Sequence, residues 1–316
     1  MSCKISEIKV FAGTSGKSFA DKMCEHLKIQ LGKSYAMTFS EGNTYVKIEE
    51  TVRDKDVFIV QPVALKPNDD FMELLFWIDA FKRASADSIT VVMPFFSYSK
   101  ADKKDEPRVS IRARVCADAI EMAGADRLVT MDLHSPQIQG FFKIPVDHLL
   151  ARPVLCSYIL RMGINNYVIA APDAGFAKDA RKYSLVLGVP TVIGDKQRKA
   201  NNEKAEILEI LGDVKGKNVV IVDDFTTSCG TLVDMAKGLK RLGCNDIYAC
   251  VSHGLLQKKG LEALEDSYIK KLIVTDSINN SFTFNHPKVT TISVAPLFAE
   301  VIKRIHNRES ISPLFD

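Results

Sequence analysis

The stretch VVIVDDFTTSCGT, Val219–Thr231, decides the fold of the region around it. Its four leading apolar residues are mostly β-branched and predict a short strand buried on both faces, which is typical of a central parallel strand. Two adjacent carboxylates, Asp223 and Asp224, follow the strand, and the helical pattern LVDMAKGLKRLG begins directly after the stretch. The stretch therefore predicts a strand, a turn and a helix of an α/β protein.

The turn between this strand and this helix consists of small residues and is rich in hydroxyl groups. Its residues are Thr227, Ser228, Cys229, Gly230 and Thr231. Such a turn leaves backbone N–H groups free at a helix N-terminus, and these groups attract phosphate together with the helix dipole. The preceding acids would repel phosphate unless they bind sugar hydroxyls or a magnesium ion. The parts together predict a pocket for a phosphorylated sugar, and we call residues 227–231 the sugar-phosphate turn. An ordinary strand–turn–helix with two solvated acids remains the alternative on this stretch alone.

Length and composition indicate a globular protein of two domains. The chain has 316 residues, and domains contain roughly 150 residues each. Hydrophobic residues make up 46% and charged residues 26%, and the net charge of +3 is too small to indicate a nucleic-acid or membrane partner. The seven cysteines include no CxxC pair, which suits reduced thiols. With no long apolar run for a membrane span or a secretory signal, we expect a cytoplasmic protein.

One order of elements occurs twice along the chain. A buried strand, a turn, a helix and another strand are predicted around DVFIV and again around NVVIV. We interpret this as a duplicated α/β domain, with domains at residues 1–150 and 151–316 and with roughly the last 15 residues packing on the first domain. In the first copy Gln61 and Pro62 stand in place of the two acids, so only the second copy is expected to keep the sugar-phosphate chemistry.

The segment GTSGKS at 13–18 is similar to a phosphate-binding P-loop but lacks one of its glycines. The motif GxxxxGK[ST] requires glycine at position 11, which is Phe11 in this chain. We therefore predict an ordinary turn between a strand and a helix there.

Other polar residues also follow predicted strands. Asp132 and His134 end the strand LVTM, and because residues two apart share one face of an extended chain, they can converge on one ion or water. Asp173 lies in a Pro-Asp-Ala-Gly turn after another buried strand. Lys196 and Arg198 are predicted to lie in a basic loop that continues through Lys199 and Lys204. Each feature by itself also suits a solvated surface.

Taken together, the motifs resemble those of the ribose-phosphate diphosphokinases, or phosphoribosyl diphosphate (PRPP) synthetases. The similar segments, in family order, are FSEGN, NDDFMELL, DKKDEPR, MDLHSPQIQGFFKIPVDHL, PDAGFAK, KQRKANNE and VDDFTTSCGT. The resemblance covers nearly the whole chain. It implies two phosphoribosyltransferase-type, Rossmann-like domains with mainly parallel sheets. It also implies transfer of the β,γ-diphosphoryl group of ATP to the 1-hydroxyl of ribose 5-phosphate, giving PRPP and AMP for nucleotide biosynthesis.

The resemblance also implies roles for individual residues. His134 and Asp173 would coordinate Mg²⁺ carried with ATP, with Asp132 in support, although Mg²⁺ prefers oxygen ligands to histidine. Lys196 and Arg198, on a mobile loop, would close over the triphosphate as catalytic residues. Ribose 5-phosphate would be bound by Asp223, Asp224, Arg198 and the turn residues Thr227, Ser228, Cys229, Gly230 and Thr231. ATP would be bound by Phe39, Glu41, Gly42, Asn43, Lys100, Ala101, Asp102, Asp105 and His134. Because residues 41–43 would come from a neighbouring subunit, a homo-oligomer is expected, with a hexamer as its form.

Several positions depart from the common family pattern. The usual Arg-Gln pair of the ATP-binding loop is Lys100-Ala101, which loses a bidentate phosphate contact. Asn43 replaces a frequent glutamate, and Thr227 replaces the acid that often opens the turn. These departures leave open a non-catalytic partner subunit that regulates a synthetase. A phosphoribosyltransferase that consumes PRPP is a third, less favoured interpretation, because such enzymes lack the upstream ATP-type segments.

Overall fold

The computed structural model describes residues 7–198, 206–283 and 286–314, and no helix in these ranges is long and apolar enough to cross a membrane. The described chain divides into two compact units. The first unit comprises residues 7–150, Ser277–Asn279 and 293–314, and the second takes the described residues of 151–276 and 280–292. Each unit contains its own sheet and its own apolar core.

The first unit is built on a five-stranded parallel sheet. The strands of this unit, including two outside the main sheet, are β1 (Ile8–Ala12), β2 (Ser34–Thr38), β3 (Thr44–Ile48), β4 (Asp56–Val60), β5 (Ser88–Met93), β6 (Arg127–Met131) and β7 (Val146–Leu149). The strands of the main sheet lie side by side in chain order, β1-β4-β5-β6-β7. Strands β2 and β3 form a separate antiparallel hairpin.

Helices cover the first sheet and bury its apolar strands. They are α1 (Lys17–Leu27), α2 (Pro67–Arg83) and α3 (Arg112–Ala123), and the C-terminal helix Ala295–His306 joins them. Trp77 and Phe81 of α2 are fully buried and stacked, with ring centroids 5.8 Å apart. The C-terminal helix packs on α1, where the rings of Phe298 and Phe19 meet edge to face at 5.3 Å. These aromatic contacts bury much of the area that stabilises the unit.

The second unit contains a seven-stranded sheet and four helices. Its strands are β8 (Tyr167–Ala171), β9 (Thr191–Arg198), β10 (Glu206–Leu211), β11 (Asn218–Thr226), β12 (Ile247–Gly254), β13 (Ile269–Thr275) and β14 (Val289–Ile292). Its helices are α4 (Arg152–Arg161), α5 (Ala177–Leu187), α6 (Gly230–Arg241) and α7 (Lys258–Glu265), which makes the C-terminal helix α8. All neighbouring strands are parallel except β9 and β10. The expected α/β fold with two mainly parallel sheets is confirmed.

The order of strands in the second sheet reverses beside β11. The order is β10-β9-β8-β11-β12-β13-β14, so the chain leaves β8 toward β9 on one side and leaves β11 toward β12 on the other. In open α/β sheets, ligands bind in the crevice at the carboxyl ends of two strands that diverge in this way. The first sheet runs in simple chain order and has no such reversal. The topology therefore marks the β8–β11 crevice as the candidate site.

The backbone at Lys196 and Arg198 is strand, and the prediction of a loop there is wrong. Both residues belong to β9, where Lys196 is opposite Leu208 and Arg198 is opposite Glu206 of β10. A polar, highly charged sequence favours a loop, but backbone pairing in a hairpin is indifferent to side-chain charge when the strands lie at a sheet edge. The neighbouring Lys199 and Lys204, which were also predicted to lie in the loop, fall outside the described residues.

The C-terminus of α7 depends on one lysine from a distant segment. The Lys288 Nζ donates hydrogen bonds to the carbonyl oxygens of Leu264 (3.1 Å), Glu265 (2.7 Å) and Ser267 (3.1 Å). The last carbonyls of a helix lack partners within the helix, and a cation is favourable beside them.

We expect Lys288→Met to lower the free energy of unfolding by about 1–3 kcal/mol, because it removes three charge-assisted hydrogen bonds from a helix end. Urea denaturation followed by circular dichroism measures the change. Lys258→Met is the matched control, since Lys258 is exposed at the first turn of the same helix. Equal stability of the two variants would contradict the capping role.

Candidate functional site

Three carboxyl groups lie at the crevice between β8 and β11. Strand β11 pairs with β8 only as far as Ile221, so Asp223 and Asp224 extend past the end of β8 and lie along β12. Asp173 follows the end of β8 after one proline. The predicted pair and the third acid are therefore brought to the same edge of the sheet.

The electrostatics of this edge favour the neutral form of one acid. Burial raises the pKa of the Asp223 carboxyl well above its usual range, and the negative charges of Asp224 and Asp173 raise it further. The backbone N–H of Asp224 donates to Asp223 Oδ1 at 3.0 Å, which acts in the opposite direction. A cation or a set of hydroxyl donors placed here would stabilise the charged form. This edge of the sheet is therefore suited to binding a cation or a ligand with several hydroxyl groups.

The sugar-phosphate turn joins β11 to the N-terminus of α6. Cys229 is the residue before the helix, and it makes no side-chain cap. Its backbone is left-handed with φ of 57°, and its side chain is 1% exposed within the core of the unit. The flanking Thr227 and Ser228 are exposed, and Gly230 donates its N–H to Ser228 Oγ at 3.4 Å. The buried Cys229 side chain fixes the position of the turn, and the exposed Thr227 and Ser228 leave the N-terminus of α6 accessible to solvent. Anion binding at a helix N-terminus requires this accessibility.

Asp173 and the turn that contains it lie at the same edge of the sheet as the paired acids. Asp173 Oδ1 accepts the N–H of Phe176 at 3.1 Å, which closes the Pro-Asp-Ala-Gly turn at the start of α5. The position of a Cβ on Gly175 would lie 3.1 Å from that oxygen. A larger residue there would therefore crowd the carboxylate.

In the first unit, the predicted ATP-side residues follow neighbouring parallel strands. Asp132 and His134 come directly after β6, and Lys100 lies at the end of a short 3₁₀ helix after β5. Asp132 has a left-handed backbone with φ of 40°, and its N–H donates to the carbonyl of Leu149 at 3.0 Å. His134 and Lys100 are exposed. These residues therefore lie at one edge of the first sheet.

The remaining residues of the ATP-binding loop differ in exposure. Ala101 is 7% exposed, and its carbonyl accepts the N–H of Ala113 at 3.2 Å. Asp102 is partly buried and Asp105 is exposed. Ala101 is thus part of the packing of α3, whereas the acids after it face solvent to different degrees.

The residues predicted for the adenine loop form the tip of the β2–β3 hairpin. Phe39 donates its N–H to the carbonyl of Asn43 at 2.8 Å and accepts the N–H of Gly42 at 2.9 Å. Gly42 has φ of 90°, which side chains other than glycine rarely adopt. Phe39 is 40% exposed, and Glu41 and Asn43 are also exposed. The tip therefore projects away from the core of its own unit.

The predicted residues thus fall into two groups, one in each unit. Asp173, Asp223, Asp224 and the sugar-phosphate turn belong to the second unit, and the predicted residues numbered 39–134 belong to the first. In the described ranges, no three His, Cys, Asp or Glu side chains are arranged as a ready-made metal cluster. The structure places Lys196 and Arg198 by their backbone alone, on β9.

Sequence reasoning missed residues that support these groups through contacts with segments distant in the chain. The Nε2 of His148 accepts the N–H of Leu133 at 2.9 Å, between Asp132 and His134. Asn280, which is 1% exposed, donates to the carbonyls of Gly254, the last residue of β12, and of Leu256 in the loop after it. His148 lies within the quoted family segment and belongs to β7, but nothing in the local sequence around Asn280 indicates its partners.

Comparisons with known proteins agree with this arrangement. The family profile described as the N-terminal domain of ribose phosphate pyrophosphokinase matches residues 8–124, and that of the phosphoribosyl synthetase-associated domain matches residues 199–316. The ribose-phosphate pyrophosphokinase of Caldanaerobacter subterraneus subsp. tengcongensis is 44% identical over 311 residues, which cover 98% of both chains. That of Chlorobaculum tepidum is 46% identical over 310 residues, 98% of this chain and 95% of the other.

A solved structure is similar to this chain over nearly its full length. The crystal structure of phosphoribosylpyrophosphate synthetase from Mycobacterium smegmatis superposes with a TM-score of 0.90 at 34% identity, covering 96% of this chain and 100% of that chain. Sequence and structure agree over both units, so the chain belongs to the ribose-phosphate pyrophosphokinase (PRPP synthetase) family.

Proposed function

We propose that this chain transfers the β,γ-diphosphoryl group of ATP to the 1-hydroxyl of ribose 5-phosphate, giving PRPP and AMP. The observation that carries the proposal is the paired acids and the sugar-phosphate turn at the strand-order reversal of the second unit. Full-length relatives named ribose-phosphate pyrophosphokinase, 44% and 46% identical, support it. The product is a precursor for nucleotide biosynthesis.

In this proposal the second unit binds ribose 5-phosphate. Asp223 and Asp224 accept hydrogen bonds from the ribose hydroxyls. These hydrogen bonds stabilise the charged form of two carboxylates that repel each other. The N–H groups of the sugar-phosphate turn bind the 5-phosphate at the N-terminus of α6. The acids and the phosphate then contact opposite ends of one pentose, so that the acids do not repel the phosphate directly.

The carboxylate oxygens at this edge of the second unit also suit a magnesium ion. Mg²⁺ takes oxygen ligands and usually keeps several of them from water and substrate phosphates, so a complete protein cluster is not required. Burial raises the pKa of the Asp223 carboxyl, the charges of Asp224 and Asp173 add to this effect, and a divalent cation nearby would offset those charges. On the family resemblance alone, His134 and Asp173 are the proposed ligands, with Asp132 in support. When bound with ATP, the ion neutralises crowded phosphate oxygens.

The protein's own residues position the reactants and offset charge. Phosphoryl-type transfer asks for alignment of the attacking hydroxyl with the phosphorus and for cations where charge develops. Lys196 and Arg198 are assigned to that role, with Arg198 also contacting the sugar phosphate, because a guanidinium matches phosphate oxygens in a bidentate way. The hairpin tip and the residues Lys100, Ala101, Asp102 and Asp105 receive the adenine and phosphates of ATP.

A regulatory, non-catalytic subunit is the second candidate. The observation that favours it is Lys100-Ala101 in place of the usual pair, with Ala101 buried against α3 instead of available to a nucleotide. Such a subunit would bind substrates or a synthetase without turnover. Measuring turnover by the isolated chain separates the two functions.

Purified protein incubated with ATP, Mg²⁺ and ribose 5-phosphate is expected to release AMP and PRPP in equal amounts. Lys196→Ala should lower kcat by about 10²-fold or more, because a cation at the developing charge is removed. Lys237→Ala, on the exposed face of α6, is the control and should remain active. No turnover by the wild-type chain would exclude the synthetase and leave the regulatory subunit.

Asp223→Asn should abolish binding of ribose 5-phosphate and yet stabilise the fold by about 1–3 kcal/mol above neutral pH. Asparagine keeps an oxygen for the N–H of Asp224 and removes the buried like charge. Because the folded pKa of Asp223 is raised, wild-type stability falls as pH rises from about 4 through that pKa, so the difference between the proteins should grow over the same range. Urea unfolding from about pH 4 to 9 measures it, and a difference independent of pH would contradict the assignment.

We further propose that the active form is a homohexamer of the 35.1-kDa chain, in which the β2–β3 hairpin contacts another copy. Four large hairpin residues are about 40% exposed, namely Tyr35 (39%), Met37 (42%), Phe39 (40%) and Tyr45 (41%). An exposed apolar patch of this kind is typical of protein interfaces. Light scattering should give a hexamer mass that falls in Tyr35→Glu and is unchanged in Tyr268→Glu, whose residue is 57% exposed in the second unit. An active wild-type monomer would refute this assembly.

A further inference from the structure

We propose that Asn280 is a positioning residue that holds the sugar-phosphate turn in its binding conformation and thereby sets the affinity for the 5-phosphate. The inference rests on the function proposed above, since it concerns the sugar subsite of that reaction. Asn280 lies outside every motif of the family resemblance, and it acts through backbone contacts of the second unit.

The amide of Asn280 is buried and its hydrogen bonds fix its orientation. The side chain is 1% exposed. Its Nδ2 donates to the carbonyl oxygens of Leu256 (2.7 Å) and Gly254 (3.2 Å), and its Oδ1 accepts the N–H of Phe282 (3.1 Å). Exchange of the amide oxygen and nitrogen would place acceptor against acceptor on both carbonyls. The side chain therefore clamps the loop after β12 in one conformation.

The clamped loop holds the strand end from which the sugar-phosphate turn begins. Leu255 lies between the two residues that Asn280 binds, and its N–H donates to the carbonyl of Thr226 at 2.9 Å. Thr226 is the last residue of β11 and immediately precedes the turn. A change in the orientation of the Leu255 peptide thus passes directly to the first residue of the turn.

Helix α7, which follows the loop, packs against the back of the turn. A Cβ placed on Gly260 would lie 2.6 Å from the carbonyl oxygen of Thr227 and 3.2 Å from the Cα of Ser228. The backbones are in close contact because residue 260 has no side chain. The loop is therefore the link through which Asn280 fixes both the start of the turn and the helix behind it.

Apolar packing in the same region does not replace this clamp. Leu256 and Cys229 both belong to the core cluster of the second unit, and their burial draws the loop and the turn inward. Burial of apolar area is non-directional, however, and does not orient peptide groups. Phosphate binding requires N–H groups aimed within hydrogen-bonding distance, so orientation decides the affinity.

The test replaces Asn280 by aspartate, which has nearly the same shape but places oxygen against the two carbonyls. We expect the KM for ribose 5-phosphate to rise about tenfold in Asn280→Asp, with the KM for ATP changed less than about twofold. Asn279→Asp is the matched control, because Asn279 is the exposed neighbour of the same residue type and its variant should keep both constants. Asn280→Ser, which adds no charge, serves if the aspartate variant does not fold, with the same split expected.

A second measurement needs no turnover. Hydrogen exchange of the Leu255 amide in the substrate-free protein should be faster in Asn280→Asp and unchanged in Asn279→Asp. A folded Asn280 variant with an unchanged KM for ribose 5-phosphate, or with equal increases in both KM values, would overturn the positioning role. Failure of the wild-type protein to bind ribose 5-phosphate would overturn the proposed function, and Asn280 would then have no sugar phosphate to position.

Discussion

Two adjacent carboxylates at the end of a buried central strand are the constraint on which the second unit depends. The four apolar residues of β11 that precede the acids, 219–222, are at most 1% exposed, so the strand cannot shift to carry Asp223 and Asp224 farther into water. Burial and repulsion then favour a proton on Asp223. A fold that retains such a pair forgoes stability at this edge, and a ligand carrying hydroxyl donors or a cation recovers it.

The two units differ in what occupies the end of the strand that carries the paired acids in the second unit. At the corresponding strand end of the first unit, Gln61 is fully buried and donates its Nε2 to the carbonyl of Asp70 at 3.2 Å. The carbonyl of Pro62 accepts the hydroxyl of Ser15 at 2.7 Å. The chain's own groups occupy that strand end, and the sheet lacks a reversal of strand order there. The first unit therefore has no crevice equivalent to the one beside β11.

The sequence predicted correctly those strands, turns and helices that are determined by residues close together in the chain. The buried strand before the acids, the turn at residues 41–43 and the helix after Thr231 follow from burial pattern and turn chemistry, and the structure contains each of them. Strand β9 was missed at Lys196 and Arg198 because its pairing with β10 is a contact between backbones, to which charge pattern is a poor guide. The acids could be found from sequence since their chemistry is unusual, whereas supports such as His148 and Asn280 act at long range.

That difference has a physical origin in what each kind of residue must do. A residue that contacts a substrate is restricted in chemical type, so a short motif such as DDFTTSCGT reveals it. A residue that orients a peptide group is restricted only in position, because any donor at the right place can bind a carbonyl. Asn280 meets its partners 24 and 26 residues away in the chain, across an intervening strand and helix. The affinity of a phosphate site therefore depends on contacts that no local motif encodes, since the N–H groups that bind the anion are directed by the backbone behind them.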